Sequence, residues 1–383
     1  MNMKGYKTTI RHFVVKKVKS PILAVGHTGL GKTAIPYQVF WEMHLKYNCV
    51  LDKDGMPTTD KDGNLILKDK LEYGYAYINM TGMDATDLMG YPSPNTEKGV
   101  TEFLPPSWLK VVEDYPCGVL VIDEVNRMDL QVRQAYMQFL ERREIGNVKL
   151  PDGWVIVQTA NPPEDGYHVA DWDEALVRRA IDLYVEGDLS VWLEYAMNEW
   201  VSPFNGQKGF SPRILSTANR LTGKGLNREC KASIQKKATY AGLEYAEILE
   251  ESELGKLGPE LARAIMAGAI GWDGADMWAA ALNDDKSKKV LSALLHGGDI
   301  PKGVSADVLL DVMFLFLDVL KNDGENVSKP AHMLWKILPD DNKLAFANYC
   351  YPTMLQYAKP YAEFKKEHQK WCVDNMIVMG PMA

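Results

Sequence analysis

Gly26-His27-Thr28-Gly29-Leu30-Gly31-Lys32-Thr33 follows the apolar run Ile22-Leu23-Ala24-Val25. It precedes a stretch in which Ile35, Val39 and Met43 recur at helical spacing. The eight residues fit G-x-x-x-x-G-K-[ST], a pattern that ordinary composition produces by chance in roughly 1 in 100 chains of this size. Strand before and helix after are the context that a phosphate-binding loop requires. Glycines let backbone N–H groups turn inward onto phosphate oxygens, and the helix N-terminus adds partial positive charge. All eight positions, Gly26 to Thr33, are therefore candidate nucleotide contacts. Lys32 supplies a point charge, and Thr33 offers a hydroxyl to a divalent metal. Pro36 falls in the first helical turn, where a missing N–H costs little.

Working outward, further short apolar runs alternate with helical patterns. They are Tyr75-Ala76-Tyr77-Ile78, Val119-Leu120-Val121-Ile122, Val155-Ile156-Val157 and Ile181-Asp182-Leu183-Tyr184-Val185. Most lack a two-residue alternation, as expected of parallel strands buried on both faces. Val132, Ala135, Tyr136, Phe139 and Leu140 mark an amphipathic helix between two of them. The predicted fold class is α/β: a parallel sheet flanked by helices. Beyond about residue 190 the strand signals stop and helical patterns dominate. The expected division is a core over 1–190, a helical lid over 191–295 and a helical extension over 296–383. Two segments interrupt the alternation. The Asp-Gly pairs within 51–71 predict a hairpin or a pair of turns. The four prolines within 91–106 predict an irregular loop.

Asp123-Glu124 ends the third apolar run, at the sheet edge where ligands of such folds sit. Asp123 is a candidate metal ligand with Thr33. Glu124 is a candidate base for an attacking water. Asn161, after the fourth run, is placed to hold that water or sense a terminal phosphate. Taken alone, an acidic pair reads as a helix cap and Asn161 as a turn residue before two prolines. Their order behind the phosphate loop favours the catalytic reading. Arg178 and Arg179 precede the last strand and are candidates to reach a neighbouring subunit's site; surface charge is the alternative. Arg213, in Ser211-Pro212-Arg213, points from a helix start.

Composition limits the alternatives. The 383 residues are 46% hydrophobic and 25% charged, enough for a sizeable core. Lys plus Arg number 43 against 51 Asp plus Glu, a net of −8 that argues against a general nucleic-acid coat. No signal peptide is visible, and the most apolar window, 308–320, is broken by Asp311 and Asp318. The five cysteines form no C-x-x-C pair and read as free thiols of a reducing, cytoplasmic compartment. No H-E-x-x-H, G-x-S-x-G or guanine-reading N-K-x-D is present.

Together these residues resemble the AAA+ ATPases, and within them the MoxR family, over roughly residues 10–290. Asp123-Glu124-Val125-Asn126-Arg127 is similar to that family's D-E-[IV]-N-R Walker B extension. Asp87-Leu88-Met89-Gly90 is similar to its D-L-x-G element. Thr159-Ala160-Asn161-Pro162 resembles its sensor 1 segment, and Ser211-Pro212-Arg213 its sensor 2. The segment Glu174 to Arg179 aligns with E-A-x-x-D-R-F, with Arg178 and Ala180 departing from the pattern; both Arg178 and Arg179 stay candidates for the arginine finger. The resemblance implies ATP and Mg²⁺ as ligands and a homo-oligomeric ring, expected to be a hexamer. It implies remodelling of a protein client, often with a von Willebrand factor A-domain partner. Two other readings use the same residues: a nucleotide-gated scaffold, and, against the acidic balance, a nucleic-acid-dependent motor. No membrane association is expected.

Overall fold

The computed structural model describes residues 1–146, 148–162, 177–203, 206, 208–221, 238–281, 285–301, 303–322, 327–357, 360 and 362–374. The chain divides into two compact units, the first over Met1–Val191 and the second from Trp192 onward.

The first unit is built on a five-stranded parallel sheet: β1 (Ile22–Val25), β2 (Tyr73–Asn79), β5 (Cys117–Asp123), β8 (Gly153–Ala160) and β9 (Ile181–Tyr184). Their spatial order is β2-β5-β8-β1-β9. Every residue of β1 and β8 is buried, which explains why neither run alternates. Leu23, Leu120, Ile122 and Ile156 join one core cluster. Helices α4 (Ser107–Asp114) and α5 (Leu130–Arg142) contribute Leu109, Val112, Val132, Tyr136 and Phe139 to it. Helices α1 (Met3–Lys16) and α2 (Ala34–Met43) pack on each other; α1 also touches β8, and α2 touches β2 and β5. Register pairs Val25 with Ala160 and Asn79 with Asp123. The strands thus end together, and their carboxyl ends form one edge. This parallel α/β architecture is the class that the alternation predicts.

Three departures from the sequence reading have physical causes. Helix α1 lies ahead of the first apolar run, over residues for which the motifs predict no element. Asn2 caps it by accepting from Gly5 N–H at 3.0 Å, and Tyr6, Ile10 and Val14 form its buried stripe. Residues 91–104 are a hairpin, β3 (Tyr91–Asn95) and β4 (Val100–Leu104), with a short helix α3 (Ala85–Met89) before it. The expectation of an irregular loop fails because Pro92 and Pro94 sit at alternate positions, opposite Phe103 and Thr101. Lacking an N–H, they occupy the non-hydrogen-bonded pairs and leave the ladder intact. In the second unit the helical pattern is broken within a single run, Pro259–Ala280, kinked at Gly271 with φ of 73°.

The segment 51–71 is the expected pair of turns. Asp52 and Asp60 each accept two backbone N–H groups, and Gly55 and Gly63 take positive φ. Val50, Thr58 and Ile66 bond to one another in a cycle of three backbone hydrogen bonds of 2.8–2.9 Å. Asn48 closes the base, accepting from Glu72 and Tyr73 N–H and donating to the Tyr73 carbonyl at 2.8 Å. A two-residue hairpin, β6 (Glu144–Ile145) and β7 (Val148–Lys149), follows α5.

The second unit is helical among its described residues. The helix Ala306–Asn322 packs on Pro212–Leu221, and Asp311, 1% exposed, accepts from both Ser216 and Arg220. Trp192 packs against Phe210 and Tyr240. Cys49, Cys117, Cys350 and Cys372 are buried free thiols, as expected; Cys230 lies outside the described residues. No described helix is long and apolar enough to cross a membrane.

Candidate nucleotide site at the sheet edge

The loop between β1 and α2 is held tightly at its base. Gly26 N–H donates to the Ala160 carbonyl at 3.3 Å. A Cβ on Gly26 would stand 2.4 Å from the Val185 carbonyl oxygen, so only glycine fits. Gly29 and Gly31 adopt φ of 83° and 82°, which glycine alone takes without strain. Leu30 turns inward and is 1% exposed, pinning the loop to the core. His27 and Thr28 flank these turns, and the Thr28 hydroxyl lies 3.4 Å from Asn161 Oδ1.

Lys32 is 7% exposed, yet its ammonium is well solvated by the protein. It donates to the Gly26 carbonyl at 2.6 Å, the His27 carbonyl at 2.7 Å and Asn161 Oδ1 at 3.0 Å. Fixed oxygens thus hold a buried charge where incoming phosphate oxygens would compete for it. Asn161 is fixed in turn by Asn126, whose Nδ2 donates to its carbonyl at 2.8 Å.

Asp123 gathers four donors. Its Oδ2 accepts from the Thr33 hydroxyl at 3.1 Å and the Tyr77 hydroxyl at 3.0 Å. Its Oδ1 accepts from the Thr159 hydroxyl and from Glu124 N–H at 3.1 Å. Burial, with the Asp123 charge behind it, raises the Tyr77 phenol above its ordinary value and keeps it a donor. Glu124 has φ 56° and ψ 42°, a left-handed conformation that costs a side-chain-bearing residue about 1–2 kcal/mol. The turn lifts its carboxylate off the strand line. That carboxylate accepts from the Thr81 hydroxyl at 2.5 Å and pairs with Arg127 at 3.2 Å.

The structure therefore brings Gly26 to Thr33, Asp123, Glu124 and Asn161 to one edge. Arg178 is exposed, and Arg179 contacts Glu141 Oε2 at 3.3 Å. Residues 174–176 of the segment aligned with E-A-x-x-D-R-F lie outside the described residues. Arg213 belongs to the second unit. There its guanidinium lies 3.8 Å over the Trp278 ring, Nε donates to the Trp278 carbonyl at 2.8 Å, and Glu250 stands at 3.4 Å. Ser211 donates through both N–H and hydroxyl to Glu247, whose carboxyl burial pushes up to about 7.

Sequence reasoning missed Tyr77, Thr81 and Arg127 as members of the site, and assigned Thr159 no role. Tyr77 and Thr81 lie on and just after a strand far from either motif. Only the β2–β5 pairing, Asn79 opposite Asp123, places them beside the acids. Among the described residues no group of three His, Cys, Asp or Glu side chains is arranged to hold a metal by itself. The Thr33–Asp123 pair offers two hard oxygen donors 3.1 Å apart. That suits Mg²⁺, which keeps several waters and takes its remaining ligands from phosphates.

No protein-family model matches the chain, and no curated protein matches it. Solved structures similar to it include a candidate ATPase from Cytophaga hutchinsonii, 14% identical with a TM-score of 0.35, the match covering 98% of this chain and 90% of that one. Another is a point mutant of RuvB from Thermotoga maritima, 12% identical with a TM-score of 0.31, covering 97% and 96%. Likeness at that level carries no argument about the site, which stands on its own distances.

Proposed function

We propose that the chain is a Mg²⁺-dependent AAA+ ATPase of MoxR type that works on a protein client. One observation carries the ATPase reading: at one sheet edge Lys32 is hydrogen-bonded to Asn161 and Thr33 to Asp123, with Glu124 beside them. In this reading the loop N–H groups and Lys32 bind the β- and γ-phosphates. Thr33 and Asp123 hold the metal, and Mg²⁺ when bound neutralises charge on the phosphate oxygens. Glu124 orients the attacking water and takes its proton, while Asn161 lies against Lys32 to contact the γ-phosphate.

The finer parts of the proposal rest on motif resemblance. They are a homo-oligomeric ring, expected to be hexameric, with Arg178 or Arg179 acting as a finger in the neighbouring site. Arg213 acts as the second sensor from a lid over 191–295, and 296–383 is an extension. A von Willebrand factor A-domain protein is the partner to test first, in a cytoplasmic setting. One observation supports the scaffold reading as well. Glu124 is engaged by Thr81 and Arg127, which suits the slow hydrolysis of a timer.

Glu124→Gln tests the proposal. The variant should bind ATP as the wild type does and lose turnover by about 10²–10⁴-fold. Hydrolysis at the wild-type rate would remove Glu124 from the mechanism. If added partner changes neither turnover nor client state, the scaffold reading replaces the remodelling one.

A further inference from the structure

The phosphate loop enters α2 with one helical hydrogen bond already made: Ile35 N–H donates to the Gly31 carbonyl at 2.9 Å. The next bond in that register would run from residue 36 to the Lys32 carbonyl. Residue 36 is proline and has no N–H to give. Tyr6 of α1 reaches the same oxygen instead, its hydroxyl donating to the Lys32 carbonyl at 3.1 Å. Tyr6 is wholly buried. Burial, with the Asp123 charge behind it, holds the phenol far above its ordinary titration range, so the hydroxyl remains a donor.

Peptide geometry carries this bond into the site. In a trans peptide the Lys32 carbonyl and the Thr33 N–H lie in one plane and point to opposite sides. Anchoring the carbonyl to α1 therefore fixes the direction of the Thr33 N–H, away from α1. Backbone N–H groups at a helix start are what such a loop offers a phosphate. The same plane joins the Cα atoms that carry Lys32 and Thr33.

We infer that Tyr6 is a positioning residue of the phosphate site: its hydroxyl replaces the amide that Pro36 lacks and orients the Lys32–Thr33 peptide toward bound phosphate. Helix α1 is then part of the nucleotide site, although it contributes no group that touches nucleotide. The inference rests on the reading that this loop binds a nucleotide.

The pairing of a missing donor with its substitute supplies its own test. Mg-ADP and Mg-ATP affinities are measured by calorimetry on the full chain, for wild type, Tyr6→Phe, Pro36→Ala and the double variant, with circular dichroism as a check on folding. Tyr6→Phe should weaken binding about five- to tenfold, the scale of one lost hydrogen bond to a buried acceptor. Pro36→Ala returns an N–H in register, so the double variant should bind within about twofold of Pro36→Ala alone. A purely packing role for Tyr6 would not be rescued in this way. Unchanged binding by Tyr6→Phe overturns the inference, as does a loss that Pro36→Ala fails to restore. If Tyr6→Phe alone does not fold, the comparison within the Pro36→Ala background decides by the same criterion. A wild type that binds neither nucleotide overturns the nucleotide reading itself, and this inference with it.

Discussion

Asp123 shows how the site is organised residue by residue. Its donors come from the start of α2, from β2, from β8 and from its own neighbour. Removing one of them tests how much the carboxylate depends on its setting. Tyr77→Phe should lower turnover about three- to tenfold, the scale of one hydrogen bond to a charged acceptor. Steady-state phosphate release measures it. Glu124 invites the opposite test. A carboxylate that accepts from Thr81 and pairs with Arg127 must leave those contacts before it can turn to an attacking water. Thr81→Ala should therefore raise basal turnover, and an unchanged or lower rate would show that the Thr81 contact imposes no restraint. Lys32, Thr33, Asp123, Glu124 and Asn161 were legible in the sequence because each belongs to a fixed local spacing behind a strand. Tyr6, Tyr77 and Thr81 were not. Their significance lies in contacts across the fold, and nothing adjacent in the chain marks them.

At the scale of elements, the sheet was legible because β1, β5 and β8, buried along nearly their whole length, leave unbroken apolar runs. Helix α1 was not legible although its stripe, Tyr6, Ile10 and Val14, is regular, because Lys7, Arg11 and His12 between those residues leave the apolar pattern thin. The β3–β4 hairpin was missed because proline disfavours strands on average, and alternate placement evades that rule. Gly26 joins element to site. Gly26→Ala would push a methyl group into the Val185 carbonyl, and should cost about 1–3 kcal/mol in urea unfolding while weakening nucleotide binding. In the second unit, helices 212–221 and 240–251 meet at Ser211 and Glu247. Glu247 has a folded-state pKa raised from the ordinary 4.5 to about 7, so the folded chain holds the proton more tightly than the unfolded one. Its contribution is complete below the unfolded value near 4.5, falls as pH rises and is gone above about 7. Melting of this unit should thus drop in temperature over that window. Glu247→Gln should flatten the drop, and an equally steep profile would mean that another group titrates there.

Across the whole molecule the net charge of −8 coexists with a strongly cationic spot at Lys32. The charge balance says little about chemistry because one buried ammonium, aimed by three oxygens, decides it. The two compact units allow a test of independence. Asp311 is buried between Ser216 and Arg220, so Asp311→Ala leaves the Arg220 charge without its partner. It should destabilise the second unit by about 3–5 kcal/mol and leave nucleotide affinity in the first unit intact. Loss of binding in that variant would mean that the second unit influences the phosphate site. The roles proposed for Arg178, Arg179 and Arg213 belong to this scale too. Motif order suggested them, but an arginine finger acts on another subunit, and a sensor in one unit acts on a site in the other. Neither relation is written in the local spacing of a single chain.

The central claim is that the edge carrying Lys32, Asp123 and Glu124 hydrolyses ATP. Phosphate release at saturating ATP, with and without Mg²⁺, tests it most directly in wild type and Lys32→Ala. The account predicts saturable, Mg²⁺-dependent release by the wild type and none above background from Lys32→Ala. Release that persists in Lys32→Ala, or that ignores Mg²⁺, would contradict it.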